Sequence, residues 1–524
     1  MTDTVTPETV NPESPLAAAG TGTVVSWHAE RRPDQLAIVS DYGDRTYAEL
    51  DAAANRLARA LYAAGLRPGD ALALVCPNRP EFPEVYAAVQ RSGLRLTPVN
   101  WHLTGPEMAY IVSDCEAKAI VADSAFADCV AEAVEGNDTL LAKLAVGGTI
   151  RGFSSYDAAV AGVDASPLPE PVVGRSMLYT SGTTGRPKGV DRQTRPLGES
   201  ALYQRIFAAA AMKPGDVHLC TGPLYHAAPL SFSLALPLLY GMTVVLMDGW
   251  DAAETVRLVE QHQVTHTHVV PTMFHRLLAL PDDVRAGHDL SSLRFVLHGA
   301  APCPVEDKRG MIEWLGPVVF EYYAATEGGG TFVDSDEGMA KPGTVGKPVE
   351  ADLIRIYDDN DEPVPAGEIG TVFIRATASP FRYFKDDEKT RSAYRGEYFT
   401  LGDHGYLDDD GYLFLTGRIA ELIISGGVNI YPAEVDAALL THPSVGDVGT
   451  IGVPDPDWGE RVIAVVEPKK GVTPTPELGA ELIAWTRDGL AHFKCPREIF
   501  FVAELPRHDN GKLYRRKLRD MFTG

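Results

Sequence analysis

Cysteine and long apolar runs are both scarce in this chain. Its six cysteines are scattered and no two form a C-x-x-C pair, so the sequence suggests neither a disulfide framework nor a zinc site. No apolar run reaches membrane-spanning length, and the N-terminus lacks the charged and then apolar segment of a secretory signal. Together these absences predict a soluble, cytoplasmic protein.

Positive charge is also in short supply. Lysine and arginine number 47 against 71 aspartate and glutamate residues, which gives a formal net charge of −24. Such an acidic chain is unsuited to nucleic acid or to an anionic membrane surface. A polyphosphate site would therefore have to rely on local cations and backbone dipoles. With 524 residues the chain is too long for one hydrophobic core, so two or more domains are expected.

A loop of unusual composition follows a short apolar strand that ends at Tyr179. It combines four serine or threonine residues, three glycines and one lysine within the range 179–190. Glycines let backbone N–H groups approach an anion closely, while hydroxyls add donors and a lysine adds charge. The composition predicts a phosphate cradle formed by Thr180, Ser181, Gly182, Thr183, Thr184, Gly185 and Lys188. The spacing differs from the Walker P-loop, and the alternative is a flexible surface loop.

The hydrophobic pattern changes along the chain. Residues 1–22 hold almost no large apolar side chains and are predicted to be a disordered tail. Over 46–122 helices and strands alternate, which predicts an α/β fold with a parallel sheet covered by helices. Over 341–415 short strands and turns dominate, which predicts a small antiparallel barrel. The remaining residues alternate short helices and strands and predict a separate α+β domain.

Three histidines lie close together in the sequence, at His262, His266 and His268. His266 and His268 alternate along a predicted strand, and such a cluster can be imagined as a metal site. Acidic and cysteine partners are missing from the segment, so the sequence favours polar residues on one face of a strand over a metal site.

The cradle loop resembles, over its whole length, the signature loop of the adenylate-forming (ANL) superfamily of acyl-CoA synthetases, adenylation domains and beetle luciferases. Further motifs resemble that superfamily in order and spacing from about Val24 to Leu518. The resemblance implies a large N-terminal AMP-binding domain over 23–417, with two parallel-type α/β sheet subdomains and a small β-barrel. It also implies a small, mobile α+β C-terminal domain over 418–524.

The same resemblance implies an ATP site and a two-step reaction. Besides the cradle, the implied ATP-binding residues are Glu321, Tyr322, Tyr323, Thr326, Asp403, Arg418 and Lys512. Thr326 would contact phosphate, and Glu327 would hold Mg²⁺, which accepts a single carboxylate because it keeps waters and uses substrate phosphates. Lys512 would bridge the carboxylate and the α-phosphate while ATP is attacked, so the implied catalytic residues are Lys512, Thr326, Glu327 and His226.

The second step implied by the resemblance is thioester formation with coenzyme A after the small domain rotates. Ser425, Gly426 and Gly427 resemble the loop that lines the pantetheine channel. The sequence departs from the family pattern at two positions. Ala324 stands where glycine is usual, and Ala420 stands at the hinge where a charged residue is common.

The acid itself is constrained only by the implied pocket, which is formed by Tyr225, His226, His298, Gly299, Ala300, Ala301 and Ala324. His226 resembles a pocket gate near the carboxylate, and the alternative is a polar residue at a helix start. The segment 223–239 carries no aspartate to bind an amino-acid ammonium and no lysine or arginine to bind a second carboxylate. We therefore expect a hydrophobic acid, either medium-chain fatty, alicyclic or aromatic.

Other functions stay open at this point. The adenylate could pass to a carrier-protein thiol or to a non-thiol nucleophile such as an amine, because the first half-reaction would use the same residues. A nucleotide-binding protein without catalysis is a further alternative, and the joint presence of Lys512, Glu327 and Asp403 argues against it. The oligomeric state is open as well, with a homodimer as one candidate.

Overall fold

The fold is given by a computed structural model that describes most of the chain. The described residues are 13–180, 187–192, 200–358, 360–376, 380–418, 421–425, 428–455, 458–490, 492–507 and 511–523. Every helix within these ranges is too short or too polar to cross a lipid bilayer.

The first third of the chain alternates helices and strands, as the hydrophobic pattern predicts. Its elements are α1 Pro15–Ala19, α2 Val24–Arg31, β1 Leu36–Val39, β2 Arg45–Thr46, α3 Tyr47–Ala63, β3 Ala71–Val75, α4 Glu81–Ser92, β4 Arg95–Pro98, α5 Gly105–Asp114, β5 Ala117–Asp123, α6 Ala127–Ala133, β6 Ala142–Val146, β7 Ser154–Ser155, α7 Tyr156–Val160, β8 Arg175–Ser176 and β9 Leu178–Thr180.

The middle of the chain continues this alternation and adds a π-helical segment over Pro229–Ala235. Its other elements are β10 Lys188–Arg192, α8 Ala201–Ala210, β11 Val217–Cys220, α9 Leu236–Leu239, β12 Thr243–Leu246, α10 Ala252–His262, β13 His266–Val269, α11 Pro271–Leu278, α12 Asp282–Ala286, β14 Phe295–His298, α13 Val305–Leu315, β15 Val319–Ala324, β16 Gly329–Val333, α14 Ser335–Ala340 and β17 Lys347–Pro348.

The last part is richer in strands. It contains β18 Ile354–Tyr357, β19 Gly370–Arg375, β20 Phe381–Tyr383, α15 Asp387–Ala393, β21 Tyr394–Arg395, β22 Tyr398–Leu407, β23 Leu413–Arg418, β24 Ile423–Ser425, β25 Val428–Ile430, α16 Pro432–Leu440, β26 Val445–Asp455, β27 Gly459–Pro468, α17 Pro476–Gly489, β28 Glu498–Phe501 and α18 Arg515–Thr523.

Two large sheets form the body of the protein. One has the strand order β17-β16-β15-β14-β13-β11-β12-β1-β2 and is parallel from β15 to β1. The other has the order β7-β6-β5-β3-β4-β8 and is parallel throughout its described pairs. Helices α3 and α4 contribute to a core that also takes side chains from both sheets, such as Leu72 of β3 and Val244 of β12. The predicted helix-covered parallel sheets are therefore confirmed.

Helix α3 shows why the sequence folds this way locally. Thr46 and Glu49 form a capping box, with the Glu49 carboxylate accepting from the Thr46 N–H and the Thr46 hydroxyl accepting from the Glu49 N–H. Leu50, Leu57 and Leu61 follow at helical spacing and are completely buried or nearly so. The helix thus begins at a polar cap and buries one apolar face between the sheets.

Three smaller sheets complete the fold. Strands β20-β10-β9 form an antiparallel ribbon, and β18-β19-β22-β21 with β23 form the antiparallel barrel-like sheet that the turn-rich region predicts. Strands β25-β24-β27-β26, with β28 parallel to β27, form a sheet of their own near the C-terminus. We call the described residues from 421 onward the C-terminal lobe. The exact boundary at 418 stays a prediction.

The predicted disorder of residues 1–22 is wrong for its second half. Pro15–Ala19 forms a helix whose first turn is capped by the Ser14 hydroxyl, which accepts from the Ala17 N–H. Ala18 is completely buried and α1 contacts α2 and α9. A small alanine can be buried without a long apolar run, so composition alone missed this contact. Residues 1–12 lie outside the described part.

The core between the two large sheets can be tested at Leu57. Leu57→Ala removes buried side-chain volume from rigid surroundings and should lower the free energy of unfolding by about 2–5 kcal/mol. Leu141→Ala serves as the matched control, because this leucine is 52% exposed. Thermal unfolding should show a clearly lower midpoint for Leu57→Ala alone. Equal midpoints for the two variants would contradict the assigned core.

Candidate functional site

Both ends of the predicted cradle are held by strand pairing. Thr180 ends β9 and Lys188 begins β10, and the two residues face each other across the antiparallel pair. The predicted cradle residues between them, Ser181, Gly182, Thr183, Thr184 and Gly185, lie outside the described part of the chain. The strands therefore fix where this loop leaves and rejoins the fold.

Lys188 has a carboxylate partner. Its Nζ donates to Asp386 Oδ2 at 2.6 Å, and both side chains are 23% exposed. Asp386 precedes α15 and also accepts from the Lys389 N–H at 3.0 Å, which fixes the carboxylate. This pairing raises the pKa of Lys188 and lowers that of Asp386. Sequence reasoning missed Asp386, since only the pairing of β10 with β20 brings it to the cradle.

Glu327 is held by a residue of β20, the strand that precedes Asp386. Thr326 and Glu327 form a turn closed by hydrogen bonds between the backbones of Ala325 and Gly328. Tyr383 of β20 donates its hydroxyl to Glu327 Oε1 at 3.0 Å, and the glutamate is only 8% exposed. Burial and the adjacent carboxylate raise the pKa of Tyr383, so its phenol stays a hydrogen-bond donor at neutral pH. Tyr383 belongs to no recognised motif and was not predicted.

Asp403 lies next to this group. Tyr323 Oη donates to Asp403 Oδ2 at 2.6 Å, and Asp403 is 6% exposed. Across the β22–β23 pair Asp403 faces Arg418, of which only the backbone is described. Tyr323 and Tyr383 belong to one apolar cluster with residues of β10 and the barrel-like sheet. The structure thus brings Lys188, Glu327, Tyr323 and Asp403 around one junction of three sheets.

An aromatic wall lies on one face of the first large sheet. Phe232, from the π-helical segment, packs edge to face against Tyr322 with ring centroids 4.8 Å apart. His268 stacks on Phe232 at 5.6 Å and pairs with the Tyr322 hydroxyl at 3.0 Å. Burial lowers the pKa of His268 to about 3, so its ring is neutral at neutral pH. The structure places His268 in this wall, and no group of three potential metal ligands occurs among the described residues.

The predicted pocket residues just before the π-helical segment are also held in place. Asn78 accepts from the Leu224 N–H at 3.0 Å and donates to the Gly222 carbonyl at 2.9 Å, which holds the preceding turn. Tyr225 is buried, and its ring lies 4.5 Å from that of His226. Phe232 was not predicted, because a phenylalanine in an apolar helix gives no signal of its own.

The turn after β14 approaches the aromatic wall closely. A methyl group on Gly299 would lie 2.7 Å from the Tyr322 carbonyl oxygen, so only glycine fits. Ala300 has a φ of 70°, a left-handed conformation that alanine rarely adopts. Such strain persists only where the surroundings impose it, and it is common at binding sites. Ala301 continues this turn, and Ala324 packs with the aromatic wall.

His298 and Glu321 point to the opposite face of the sheet. His298 is completely buried against Phe274, and its Nε2 lies 3.9 Å from Glu321 Oε2. Glu321 forms a buried ion pair with Lys308, which also donates to the Thr344 carbonyl at 3.1 Å. Burial raises the pKa of Glu321 and lowers that of His298. Their side chains serve this buried cluster, so a ligand on the other face could meet only their backbone.

The segment that carries Lys512 contacts the body of the protein. Gly511 has a φ of 78° and lies so close to Thr272 of α11 that a methyl group on it would overlap the threonine hydroxyl. Lys512 itself is half-buried. Ser425 ends β24 and pairs with Val428. The predicted channel residues Gly426 and Gly427 and the predicted hinge residue Ala420 lie outside the described residues.

The chain is similar to known proteins over most of its length. The family model "AMP-binding enzyme" matches residues 25–382, and the model "AMP-binding enzyme C-terminal domain" matches residues 434–512. The feruloyl-CoA synthase of an Amycolatopsis species is 35% identical over 483 residues, which cover 91% of this chain and 94% of that enzyme.

Two further proteins extend the comparison. The fatty acid–[acyl-carrier-protein] ligase ScoC of Streptomyces coeruleorubidus is 31% identical over 509 residues, with coverage of 95% and 96%. The crystal structure of the anthranilate CoA ligase AuaEII in complex with anthranoyl-AMP superposes with a TM-score of 0.86 at 26% identity. That superposition covers 96% of this chain and 97% of the other.

The neutral, buried state of His268 predicts acid sensitivity. The unfolded chain takes up a proton on this histidine near pH 6.5, whereas the folded protein does so only near pH 3. Stability should therefore fall as the pH falls below 6.5, and His268 should account for about 1.4 kcal/mol of that loss at pH 5.5. Thermal unfolding of the wild type and of His268→Gln between pH 7.5 and 5.5 measures this term. The variant should lose less stability, and parallel curves would rule out the assigned neutral histidine.

Proposed function

Because this chain belongs to the AMP-binding enzyme family, we propose that it activates a hydrophobic carboxylic acid with ATP and transfers the acyl group to coenzyme A. It is an acid–thiol ligase of the AMP-forming acyl-CoA synthetase type. The observation that carries the proposal is the junction of three sheets that carries Lys188, Glu327 and Asp403, beside an aromatic wall. A cation, a buried carboxylate and a ribose-binding carboxylate are what adenylation of an acid requires.

In the first half-reaction, a carboxylate oxygen of the acid attacks the α-phosphorus of ATP, and the bond to the β-phosphate oxygen breaks as pyrophosphate leaves. Asp403, held by the Tyr323 hydroxyl, accepts the ribose hydroxyls. Lys188 and the cradle hold the triphosphate, so phosphate oxygens replace Asp386 as the partner of the lysine. Lys512 offsets the charge that accumulates between the attacking carboxylate and the α-phosphate.

Glu327 is suited to a magnesium ion that arrives with ATP. The Tyr383 hydroxyl occupies one carboxylate oxygen, which leaves the other oxygen for a ligand. Mg²⁺ is commonly bound by one or two carboxylates together with waters and substrate phosphates. The described residues contain no cluster of three acidic, histidine or cysteine ligands that would hold a metal without ATP. When bound, the ion would neutralise charge on the departing pyrophosphate.

In the second half-reaction the thiol of coenzyme A attacks the acyl carbonyl, and AMP leaves with the electron pair of the broken anhydride bond. We assign the thiol entry to the loop that contains Ser425, Gly426 and Gly427. The small domain, with its boundary at 418 and its hinge at Ala420, turns between the two steps. Lys512 leaves the site during that turn, so one site can serve two different transition states.

The class of acid follows from the aromatic wall. Phe232, Tyr322 and the neutral ring of His268 pack on one another with edge-to-face and stacked geometry, and we assign the acid to the edge of this cluster. A planar ring packs favourably on such rings. We therefore favour an aromatic acid over a medium-chain fatty or alicyclic acid. The relatives named for feruloyl-CoA and anthranilate support this choice.

A carrier-protein thiol is the second candidate acceptor. It is favoured by the relative named as a fatty acid–[acyl-carrier-protein] ligase, which matches nearly the whole chain. The first half-reaction would be unchanged. The two acceptors differ in whether free coenzyme A accelerates turnover.

The test is pyrophosphate release from ATP and Mg²⁺ across short, medium, long, alicyclic and aromatic acids, each with and without coenzyme A. We expect turnover with one class of acid, acceleration by coenzyme A, and a product with the mass of the thioester. Adenylate accumulation without acceleration would support the carrier-protein acceptor. Release with none of the acids, from a folded enzyme that binds ATP, would overturn the proposed substrate class.

The contact between Tyr383 and Glu327 gives a sharper prediction. Tyr383→Phe removes a hydrogen bond to a charged group, which is worth about 1.5–3 kcal/mol, so the KM for MgATP should rise about tenfold or more. The value of kcat should change less, because the carboxylate is still present.

Tyr394→Phe is the matched control for this experiment. Its hydroxyl accepts from the Phe381 N–H and donates to the Phe381 carbonyl in β20, the strand that also carries Tyr383, and it is not hydrogen-bonded to Glu327. We expect this variant to keep the wild-type KM for MgATP. An unchanged KM in Tyr383→Phe would show that the tyrosine does not orient the glutamate.

A further inference from the structure

The C-terminal lobe contacts helix α11 of the large domain at Thr272 and acts electrostatically on the same helix at His275. Gly511, which precedes Lys512, lies against Thr272. One turn along the helix, His275 is paired with Asp307, which is the first cause of its raised pKa, and Asp447 and the Gly446 backbone at the start of β26 raise that pKa further. Residues at positions i and i+3 lie on the same face of a helix. Thr272 and His275 therefore present one surface to the lobe.

Arg507 links Gly511 to Asp447 within the lobe. It forms a fork with Asp447, with Nε at 2.8 Å from Oδ2 and Nη2 at 2.6 Å from both carboxylate oxygens. Its Nη1 donates to the Gly511 carbonyl at 2.6 Å. The planar guanidinium fixes these directions together, which a lysine cannot do. The backbone position next to Lys512 is thus tied to β26, the strand that carries Asp447.

His275 is held on the other side by the large domain. Its Nδ1 lies 3.3–3.4 Å from the Asp307 carboxylate of α13. The hydrogen bond with Asp307 is the first cause of its raised pKa, followed among charged groups by Asp447. The charged groups that face the ring are Asp307 from α13 and Asp447 from β26, and Arg507 balances the latter. A protonated His275 is therefore paired with the Asp307 carboxylate of the large domain and is attracted by the Asp447 carboxylate of the lobe.

We propose that Arg507 is a positioning residue for Lys512, and that His275 and Asp307 form with Asp447 a clamp that holds the C-terminal lobe in the arrangement for adenylation. This proposal rests on the proposed function and names the residues that control it. The clamp acts in the first half-reaction, in which Lys512 is needed. It must open before the thioester forms, because the lobe leaves α11 when it turns.

The two half-reactions separate this role from a merely structural one. We would measure acyl-adenylate formation from ATP and the best acid of the panel in single turnover. In parallel we would measure thioester formation from coenzyme A and the synthetic adenylate of the same acid. Arg507→Gln should slow the first reaction about 10- to 100-fold and leave the second within about twofold, in line with losing charge-assisted hydrogen bonds.

Further variants keep the experiment decisive. Arg507→Lys retains the charge without the fork and should fall between Arg507→Gln and the wild type. Arg487→Gln, at an exposed position of α17 in the same lobe, should behave as the wild type in both reactions. If Arg507→Gln does not fold, His275→Gln and Asp307→Asn on the large domain should show the same selective loss.

The pH dependence gives a second readout. Protonated His275 closes the clamp, so raising the pH from 6.5 to 8.5 should lower the rate of adenylation relative to that of thioester formation. His275→Gln should remove this dependence.

Equal slowing of both half-reactions, or of neither, in an active and folded Arg507→Gln enzyme would overturn the clamp and leave the proposed function standing. A wild type that turns over none of the acids would instead count against the proposed function. In that case thermal unfolding tests the clamp without substrate, through a double-mutant cycle of His275→Gln and Arg507→Gln. The two changes should couple through Asp447, and strict additivity would overturn the clamp.

Discussion

The antiparallel pairing of β20 with β10 joins parts of the chain that lie 198 residues apart at the Lys188–Asp386 contact. Strand β10 is also paired with β9, so it is held on both edges. One short strand and the helix start that follows it supply partners for two groups of the site. Tyr383 reaches Glu327, and Asp386 reaches Lys188. If this ribbon were displaced, Glu327 and Lys188 would lose their orientation together.

The cations described above are already paired with carboxylates of the protein. The chain carries a net charge of −24, so the protein as a whole repels a polyphosphate. Lys188 already has a carboxylate partner, as does Arg507. A phosphate that binds Lys188 as we propose would therefore replace the Asp386 carboxylate and would not meet a bare cation. Such exchange lowers the gain in binding energy, but it keeps each cation in place while the site is empty.

Much of the fold could be predicted from the sequence because local patterns decide it. The capping box at Thr46 and the apolar spacing of Leu50 and Leu57 specify α3 without any long-range information. The helix at 15–19 could not be predicted, since its burial depends on α9, more than 200 residues away. Secondary structure that local sequence determines could therefore be predicted, and contacts that the tertiary fold determines could not.

The site shows the same division. Motif resemblance singled out Glu327 and Asp403, which the structure brings to one junction, though their roles remain predictions. Tyr383 and His275 belong to no motif. They could not be predicted, because their contacts depend on strand register and on the docking of the lobe. The orientation of Glu321 was within reach of the sequence. Successive residues of a strand point to opposite faces of the sheet. Because Tyr322 lies in the aromatic wall, the neighbouring Glu321 points to the other face.

The π-helical segment over Pro229–Ala235 makes the position of Phe232 in the aromatic wall depend on the number of residues in that segment. A π-helical turn holds one residue more than an α-helical turn. Deleting one residue here would restore an α-helix and rotate the side chains beyond it by about 100°. Phe232 would then leave the aromatic wall, and another side chain of the helix would take its place. A single insertion or deletion could therefore change which side chain stands in the aromatic wall, to which we assign the acid, with no substitution in the segment.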